Sequence, residues 1–288
     1  GTSLDPVDQR GVVNLMTALI EEGAGDLDAQ GFAEARDDLA AIFGFRAGLD
    51  SVSVSAQFLT ENRDEAMALL RSALIEPRFD AEAVERVRGQ VLANIESDAK
   101  EPASIAARSF DRAAFGTHAY GSSGDGTAQS VAGLSRADIV AAHEGALARD
   151  RIFVAAAGDI SAEDLGKLLD ELLGDLPATG TALPKRADWG LAGGVTVIDF
   201  PSPNSLVRFG HIGIKRDDPE FFAAFILNEI LGGGRFTARL MTEVRDKRGL
   251  TYGISSYLAP MDHAEMMLGQ FSSANDKVGE AIDIVSSE

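Results

Sequence analysis

The chain has 288 residues, more than one hydrophobic core usually covers, so we expect two domains. It carries 26 basic and 45 acidic residues, and its formal net charge of −19 argues against nucleic acid or an anionic membrane as a partner. Because it contains no cysteine, disulfides and thiolate metal sites are excluded, and no apolar run approaches the roughly 18 residues of a membrane span.

Helical patterns dominate the first 175 residues. Asp5 followed by Pro6 predicts the start of a helix, and an apolar stripe continues this helix to Gly23. Alternating sequence predicts two strands after the second helix, and a short apolar run predicts a buried strand later. The other predicted helices cover residues 29–39, 61–74, 81–98, 102–115, 135–147 and 161–173, and the strands cover residues 42–46, 51–58 and 152–158.

A polar stretch rich in proline and glycine, residues 176–194, is the best linker candidate in the chain. Its lone tryptophan, Trp189, is expected to pack against a domain face. The linker separates a predicted first domain, residues 1–175, from a second, residues 195–288. The second domain is predicted to contain strands at residues 195–200, 205–214, 250–257 and 264–271, and helices at residues 219–231 and from 276 onward.

The most informative stretch of the sequence, residues 231–257, begins with a glycine triplet. Gly232, Gly233 and Gly234 interrupt a helical pattern and allow the backbone to turn sharply. A GGGR sequence before a helix also suggests phosphate binding at the helix N-terminus, but the lysine of a phosphate-binding loop and a preceding strand are missing. A hinge between two helices is therefore the better interpretation.

After the glycines, a short amphipathic helix is predicted, with one face formed by Leu240, Met241 and Val244. Arg245 lies in the last turn of this helix, and Tyr252 lies near the start of the strand that follows it. Polar side chains from a helix end and a strand start can converge on one point in space. Taken alone, however, the two residues also fit a solvated helix-end charge and a half-buried strand residue.

The two halves of the chain repeat each other. Residues 34–37 align with residues 243–246 at an offset of 209, and the same offset places Phe43 on Tyr252. Further on, Gln57 matches Gln270 at a slightly larger offset. A change of a few residues in the offset is what loop insertions would cause. The sequence therefore predicts an internal duplication of two related α+β units.

The stretch from the glycine triplet to Tyr252 resembles the M16 zinc-peptidase family, which contains insulin-degrading enzyme, pitrilysin and the mitochondrial processing peptidase. The resemblance rests on LGGG, a leucine-bearing helix and R-D-K-R-G-L-T-Y, in which Arg245 and Tyr252 are seven residues apart. It implies an α+β fold of two homologous domains, each an antiparallel-rich β-sheet covered by helices (LuxS/MPP-like). Family members of this type continue beyond both ends of this sequence, so we expect the chain to be a fragment.

The zinc motif of this family, H-x-x-E-H, is degenerate in this sequence. The resemblance places its first histidine on Asn14, its general base on Thr17, its second histidine on Ala18 and its distal glutamate ligand on Asn94. These residues offer no imidazole or carboxylate to hold zinc or to activate water. The four histidines, His118, His143, His211 and His263, show no H-x₃-H spacing, and His118 and His211 are better interpreted as structural. We therefore infer no zinc or other cofactor in this chain and expect the zinc in a partner subunit.

The resemblance implies the non-catalytic subunit of a heterodimeric M16 metallopeptidase. Arg245 and Tyr252 would contact substrate carbonyls, with the glycine triplet shaping the approach, and the partner would carry H-x-x-E-H. This subunit would be inactive alone, and the substrate would be a peptide. The location implied is periplasmic; because the first residues lack the regions of a signal peptide, we expect any such signal to have been removed.

Two other functions remain open at the sequence level. Members without a zinc motif also serve as scaffold subunits of larger assemblies that have no peptidase activity. A protein that binds peptides by itself, without a partner subunit, is the third possibility.

Overall fold

The computed structural model describes residues 1–288, which divide into two compact units. Unit 1 comprises Gly1–Ser97 and Ser122–Pro184, and unit 2 comprises Asp98–Gly121 and Lys185–Glu288. The segment 98–121 groups with unit 2 because its helix, Pro102–Phe115, packs on the strand Asn204–Ile212 of that unit. This division differs from the predicted domains, which follow the sequence repeat, and their boundaries stay a prediction.

Ten α-helices and one π-helix account for most of the regular structure. The helices of unit 1 begin with α1 at Val12–Leu19, and those of unit 2 begin with α5. The α-helices are α1 (Val12–Leu19), α2 (Ala29–Asp38), α3 (Arg63–Ile75), α4 (Ala81–Asp98), α5 (Pro102–Phe115), α6 (Ala128–Gly133), α7 (Arg136–Ala146), α8 (Ala162–Leu173), α9 (Phe221–Gly232) and α10 (Val278–Ser287), and the π-helix is Met241–Asp246.

Every strand pairing is antiparallel. In unit 1, β1 pairs with β2 and β3 pairs with β4, whereas in unit 2 three strands form one sheet in the order β5-β7-β6. Helices flanking antiparallel sheets are the α+β arrangement that the sequence predicts. The strands are β1 (Gly23–Ala24), β2 (Leu27–Asp28), β3 (Ile42–Ala47), β4 (Val52–Gln57), β5 (Asn204–Ile212), β6 (Ile254–Pro260) and β7 (Glu265–Ala274).

The core of unit 1 is built around α1. Its apolar stripe is fully buried, with Leu15, Met16 and Leu19 at 0% exposure, and the helix packs against α7 and β3. Apolar side chains from α3 and α4 complete this core. Burial of a leucine or methionine side chain contributes about 1.5–3 kcal/mol, so this stripe is a main source of the unit's stability.

The smaller core of unit 2 lies between the sheet, the π-helix and α10. Leu240 and Val244 from the π-helix region meet Ile254 of β6 and Phe271 of β7 there. Helix α5 packs on β5, where Arg208 reaches Asp111 at 3.3 Å. Trp189 packs edge-on against Phe110 and Phe115, as predicted for a residue that covers a domain face.

Two predicted strands do not form. Residues 152–158 and 195–200 have strand-like sequences but no strand structure, and Phe153, Val195 and Val197 are 97%, 68% and 85% exposed. A strand exists only where a neighbour accepts and donates its backbone hydrogen bonds, and no strand of the 288 residues pairs with either segment. The prediction of a buried strand at 152–158 is therefore wrong for this structure.

The order of elements repeats between the units. In unit 1, α2 is followed by the antiparallel pair β3 and β4 and then by α3. In unit 2, the π-helix is followed by the antiparallel pair β6 and β7 and then by α10. The shared order agrees with the internal duplication read from the sequence.

The longest helix, α4, has 18 residues and carries charges along its length. None of the helices combines the length and apolarity needed to cross a bilayer.

Candidate functional site

Helix α1, which carries three of the four degenerate zinc positions, begins later than predicted. Its N-cap is Gly11, in the left-handed region at φ 92°, rather than Asp5. Asp5 nevertheless satisfies the helix start, because its carboxylate accepts hydrogen bonds from the backbone N–H of Gly11 at 2.7 Å and of Val13 at 3.1 Å. Burial raises the pKa of Asp5 to about 6, against the opposing effects of those two hydrogen bonds and of Arg10.

Three degenerate zinc positions share one open pocket in unit 1 with a volume of about 260 Å³. Asn14, Thr17 and Ala18 line it from one face of α1, because side chains three and four residues apart lie on the same side of a helix. The opposite wall comes from β3. The lining residues are Asn14, Thr17, Ala18, Phe45, Arg46 and Ala47. Asn94, on the exposed side of α4, is not among them.

The side chains in this pocket cannot perform the chemistry of the motif they replace. The Thr17 hydroxyl donates to the Val13 carbonyl at 2.7 Å within the helix. A hydroxyl also lacks the carboxylate that a general base of this motif uses to take a proton from water. The Asn14 side-chain amide donates to Asp125 at 3.0 Å. No cluster of three histidine, cysteine, aspartate or glutamate side chains that could hold a metal ion exists in the protein. The residues at these positions therefore do not fit zinc.

Histidines 118 and 143 have structural hydrogen bonds. The Nδ1 atom of His118 accepts from the Tyr120 backbone N–H at 3.1 Å, so its Nε2 atom is the donor to the Lys185 carbonyl at 3.1 Å. The Nε2 atom of buried His143 contacts the Leu74 carbonyl at 2.9 Å, and burial lowers the pKa of His143. Both ring nitrogens of His118 are therefore occupied by hydrogen bonds, and His143 is buried without a cluster of other ligand side chains around it.

In unit 2, the predicted glycine turn has a steric origin at each position. A Cβ atom on Gly232 would lie 2.4 Å from the Ser256 hydroxyl oxygen, and one on Gly233 would lie 2.6 Å from the Glu229 carboxyl group. Gly234 takes the left-handed conformation at φ 76°. The triplet therefore ends α9 tightly against β6 and allows the backbone to turn there, as the sequence predicts.

The helix that follows differs from the prediction in one respect, because its last turns, Met241–Asp246, form a π-helix. Its buried face, made of Leu240, Met241 and Val244, is as predicted. π-Helices are rare in proteins, and a large share of those that occur lie at functional sites. It ends at Asp246, and the turn after it is closed at Gly249, which has a φ of 59° and donates its N–H to the Arg245 carbonyl at 2.8 Å.

Arg245 keeps part of its guanidinium in solvent. The side chain is 37% exposed, pairs with Asp246 at 2.6 Å and lies 5.3 Å from the ring centroid of Phe236. Its basic neighbours Lys247 and Arg248 both bind Glu243 and hold the pKa of that carboxyl below its ordinary value. Because an exposed ion pair is worth only about 0–1 kcal/mol, the pair between Arg245 and Asp246 can open at low cost.

Tyr252 lies two residues before β6 rather than within a strand. Its neighbour Thr251 holds this turn by donating its hydroxyl to the carbonyl of Ser272 at 2.7 Å or that of Gly253 at 2.8 Å. The Tyr252 side chain itself is fully exposed and has no hydrogen-bond partner. Whether its phenol and the Arg245 guanidinium act on one point stays a prediction.

Two features of these sites were not found from the sequence. Phe236 flanks Arg245 nine residues away along the chain, a separation that no helical or strand period indicates. Arg46 lines the pocket beside the degenerate zinc helix because β3 packs on α1, which is a tertiary contact.

Comparisons with known proteins agree with this architecture. Residues 133–288 match the family model of the peptidase M16 inactive domain, and residues 1–127 match that of insulinase (peptidase family M16). A solved peptidase M16 inactive domain from Pseudomonas fluorescens has a TM-score of 0.94 and 30% identity, covering 100% of this chain and 70% of that one. The chain therefore belongs to peptidase family M16.

Two further proteins are similar to the chain. The non-peptidase homolog YmxG of Helicobacter pylori is 24% identical over 255 residues, which are 88% of this chain and 59% of that protein. The periplasmic protease PqqL of Escherichia coli shares the fold, with a TM-score of 0.78 and 16% identity over all of this chain and 32% of PqqL. These 288 residues form an M16-like chain with the predicted α+β fold, and they span about 59% of the length of the curated relative YmxG.

Proposed function

We propose that this chain acts as the non-catalytic subunit of a heterodimeric M16 metallopeptidase. A partner subunit that bears H-x-x-E-H would hold the zinc ion, and this chain would supply Arg245 and Tyr252 to the peptide substrate. Membership of the family and the absence of ligand side chains at Asn14, Thr17 and Ala18 support this division of labour.

The chemistry of amide hydrolysis explains what such a pair would contribute. The substrate carbonyl oxygen becomes an oxyanion in the transition state, and a metal ion stabilises it from one side only. A guanidinium and a phenol aimed at substrate carbonyls add preorganised donors, and each donor of this type is worth on the order of 3 kcal/mol.

The single observation that carries the proposal is the state of Tyr252. Its ring is fully exposed and its hydroxyl has no partner within the chain, although the adjacent Thr251 is tied into the sheet. At the equivalent position of the internal repeat, Phe43 is buried at 7% exposure and has no hydroxyl. Only the second copy therefore presents a hydrogen-bond donor to solvent at this position.

The test is a peptide-cleavage assay on the full-length subunit co-expressed with homologues that carry H-x-x-E-H. We expect each subunit to be inactive alone and the mixture to be active. Arg245→Ala should leave assembly intact and lower turnover by about 10²-fold or more, and Tyr252→Phe should lower it in the same sense.

The internal repeat offers matched controls. Arg36 pairs with Asp37 as Arg245 pairs with Asp246, so Arg36→Ala removes the same kind of ion pair from the other copy. Tyr257→Phe removes a phenol from β6 in the same way. Both controls should retain full turnover, and normal cleavage by an assembled Arg245→Ala complex would show that the assigned role is wrong.

The scaffold alternative is favoured by one surface of unit 2. Along α9, the side chains of Phe222, Leu227 and Ile230 are 68%, 66% and 61% exposed, which forms an apolar face of a kind that marks interaction sites. A scaffold would assemble through such a face without any peptide cleavage by the mixture. We also propose that the non-catalytic subunit is periplasmic. The support for this location is the fold that the chain shares with a periplasmic protease.

A further inference from the structure

The pocket beside the degenerate zinc helix contains one formal charge. Arg46 is the only charged residue among its six lining residues, which otherwise supply an amide, a hydroxyl and apolar surface. The side chain of Arg46 is exposed and makes no hydrogen bond or ion pair within the chain. The pocket at the degenerate zinc positions therefore presents one unpaired guanidinium group.

The free state of Arg46 is unusual for this part of the molecule. Most arginines of unit 1 are paired, for example Arg36 with Glu21, Arg71 with Asp175 and Arg86 with Glu22. The unit holds 28 acidic and 12 basic residues, so carboxylates are abundant and an arginine without one is an exception. Because guanidinium groups match carboxylates in a bidentate geometry, Arg46 is available for a carboxylate that comes from outside.

The α1 wall of the pocket supplies a hydrogen-bond acceptor. The Nδ2 atom of Asn14 donates to Asp125 at 3.0 Å, which leaves its carbonyl oxygen free to accept. The Thr17 hydroxyl is bound to the Val13 carbonyl and the residue is only 2% exposed, so Asn14 is the acceptor that a ligand can reach. A ligand that satisfies both walls must carry a carboxylate for Arg46 and an N–H donor for α1.

We propose that this pocket binds the C-terminal carboxylate of a peptide, with the carboxylate on Arg46 and a backbone N–H of the last residues on the side-chain oxygen of Asn14. A peptide C-terminus carries both groups in one short segment, whereas a simple carboxylate such as acetate carries only one. A divalent cation is disfavoured, because the guanidinium of Arg46 repels it.

The charge of unit 1 selects among peptides. Its net charge of −16, against −3 for unit 2, repels free anions and attracts basic chains. Asp125, which accepts a hydrogen bond from Asn14, adds to this preference for basic chains. The ligand is therefore a basic peptide with a free C-terminus.

This site does not depend on the proposed partner subunit, because all its residues lie in unit 1 of the isolated chain.

The experiment is a fluorescence-anisotropy titration of the chain with a short lysine-containing peptide, labelled at its N-terminus. Two forms are compared, one with a free C-terminal carboxylate and one with a C-terminal amide. We expect the acid to bind about tenfold more tightly than the amide at low salt, the loss expected for one charge-assisted contact. Arg46→Gln should remove this difference, and Ala18→Glu should do the same because it places a competing carboxylate in the pocket.

Arg149→Gln is the matched control, since Arg149 is also exposed in unit 1 without a side-chain partner but does not line the pocket. This variant should keep the acid-to-amide ratio of the unmodified chain. Equal binding of acid and amide, no binding of either, or an unchanged ratio in a folded Arg46→Gln variant would overturn the proposal. If acetate displaces the peptide as effectively as the unlabelled acid does, the assignment to a peptide C-terminus is wrong. Normal peptide turnover by an Arg245→Ala complex would refute the proposed function, but it would not change the binding ratio of acid to amide measured here.

Discussion

At the scale of single residues, Asp5 illustrates how a sequence signal can be right in kind and wrong in place. Aspartate before proline predicts a capping residue, and its carboxylate does cap a helix. It does so across a loop, by accepting the N–H groups of Gly11 and Val13 rather than those of its immediate neighbours. The cost of this arrangement is burial of the carboxylate, which raises its pKa to about 6.

This raised pKa predicts a specific pH dependence of stability. The folded chain binds a proton at Asp5 more tightly than the unfolded chain, whose pKa is near the ordinary 3.8. The stabilisation from the protonated form is therefore complete below pH 3.8 and is lost as the pH rises through about 6, by up to about 3 kcal/mol. Asp5→Asn removes this titration.

The measurement is the free energy of unfolding by denaturant at several pH values for the unmodified chain and for Asp5→Asn. Because other groups titrate in both proteins, the informative quantity is their difference. The unmodified chain should lose stability relative to the variant between pH 4 and pH 7. A difference that is constant over this range would contradict the assigned cause.

At the scale of elements, the internal repeat places equivalent helices in different surroundings. The 209-residue offset aligns Val12 with Phe221 and hence α1 with α9. Helix α1 is buried against α7, whereas α9 leaves most of its apolar side chains exposed and is held to β6 by a polar contact. Asn228 donates to the Ser256 carbonyl at 3.1 Å and accepts from its hydroxyl at 2.8 Å, and both residues are buried.

This polar contact should be the main attachment of α9. Asn228→Ala leaves the Ser256 hydroxyl buried without its acceptor, so we expect a loss of about 2 kcal/mol in the free energy of unfolding and faster hydrogen exchange in α9. Asn204→Ala, at an exposed asparagine of β5 whose side chain has no partner, is the control and should change stability by less than about 0.5 kcal/mol. Unchanged exchange rates in α9 of the Asn228→Ala variant would show that apolar packing, not this contact, holds the helix.

At the scale of the whole molecule, the negative charge is unevenly distributed. Unit 1 has a net charge of −16 and unit 2 a net charge of −3. Like charges on a compact surface repel, and this repulsion opposes folding at neutral pH.

Salt should therefore stabilise the protein. Raising the ionic strength shortens the screening length from about 30 Å at 0.01 M to about 8 Å at 0.15 M, which weakens repulsion between the surface carboxylates. We expect the melting temperature at neutral pH to rise by about 2–4 °C, equivalent to roughly 1 kcal/mol. Near the isoelectric point of about 4.6 the net charge vanishes, so the same addition of salt should have little effect. A melting temperature that falls with salt at neutral pH would mean that attractive ion pairs outweigh the repulsion.

Features that depend on local pattern follow from the amino-acid sequence without any knowledge of the fold. The buried stripe of α1, the buried face of the π-helix and the glycine turn at residues 232–234 follow from periodicity and from the conformational freedom of glycine. The internal repeat could be read directly from residue types and spacing, whereas the degenerate zinc positions came from the resemblance to a known family.

The tertiary structure alone decided the features that depend on distant contacts. Residues 152–158 and 195–200 have the composition of strands, yet a strand requires a hydrogen-bonding neighbour and neither segment has one. Asp5 caps α1 through a loop, and Arg46 lines the pocket opposite Asn14 only because β3 packs on α1. Pattern specifies which conformation a segment prefers, whereas packing specifies which side chains meet, and sites are made where side chains meet.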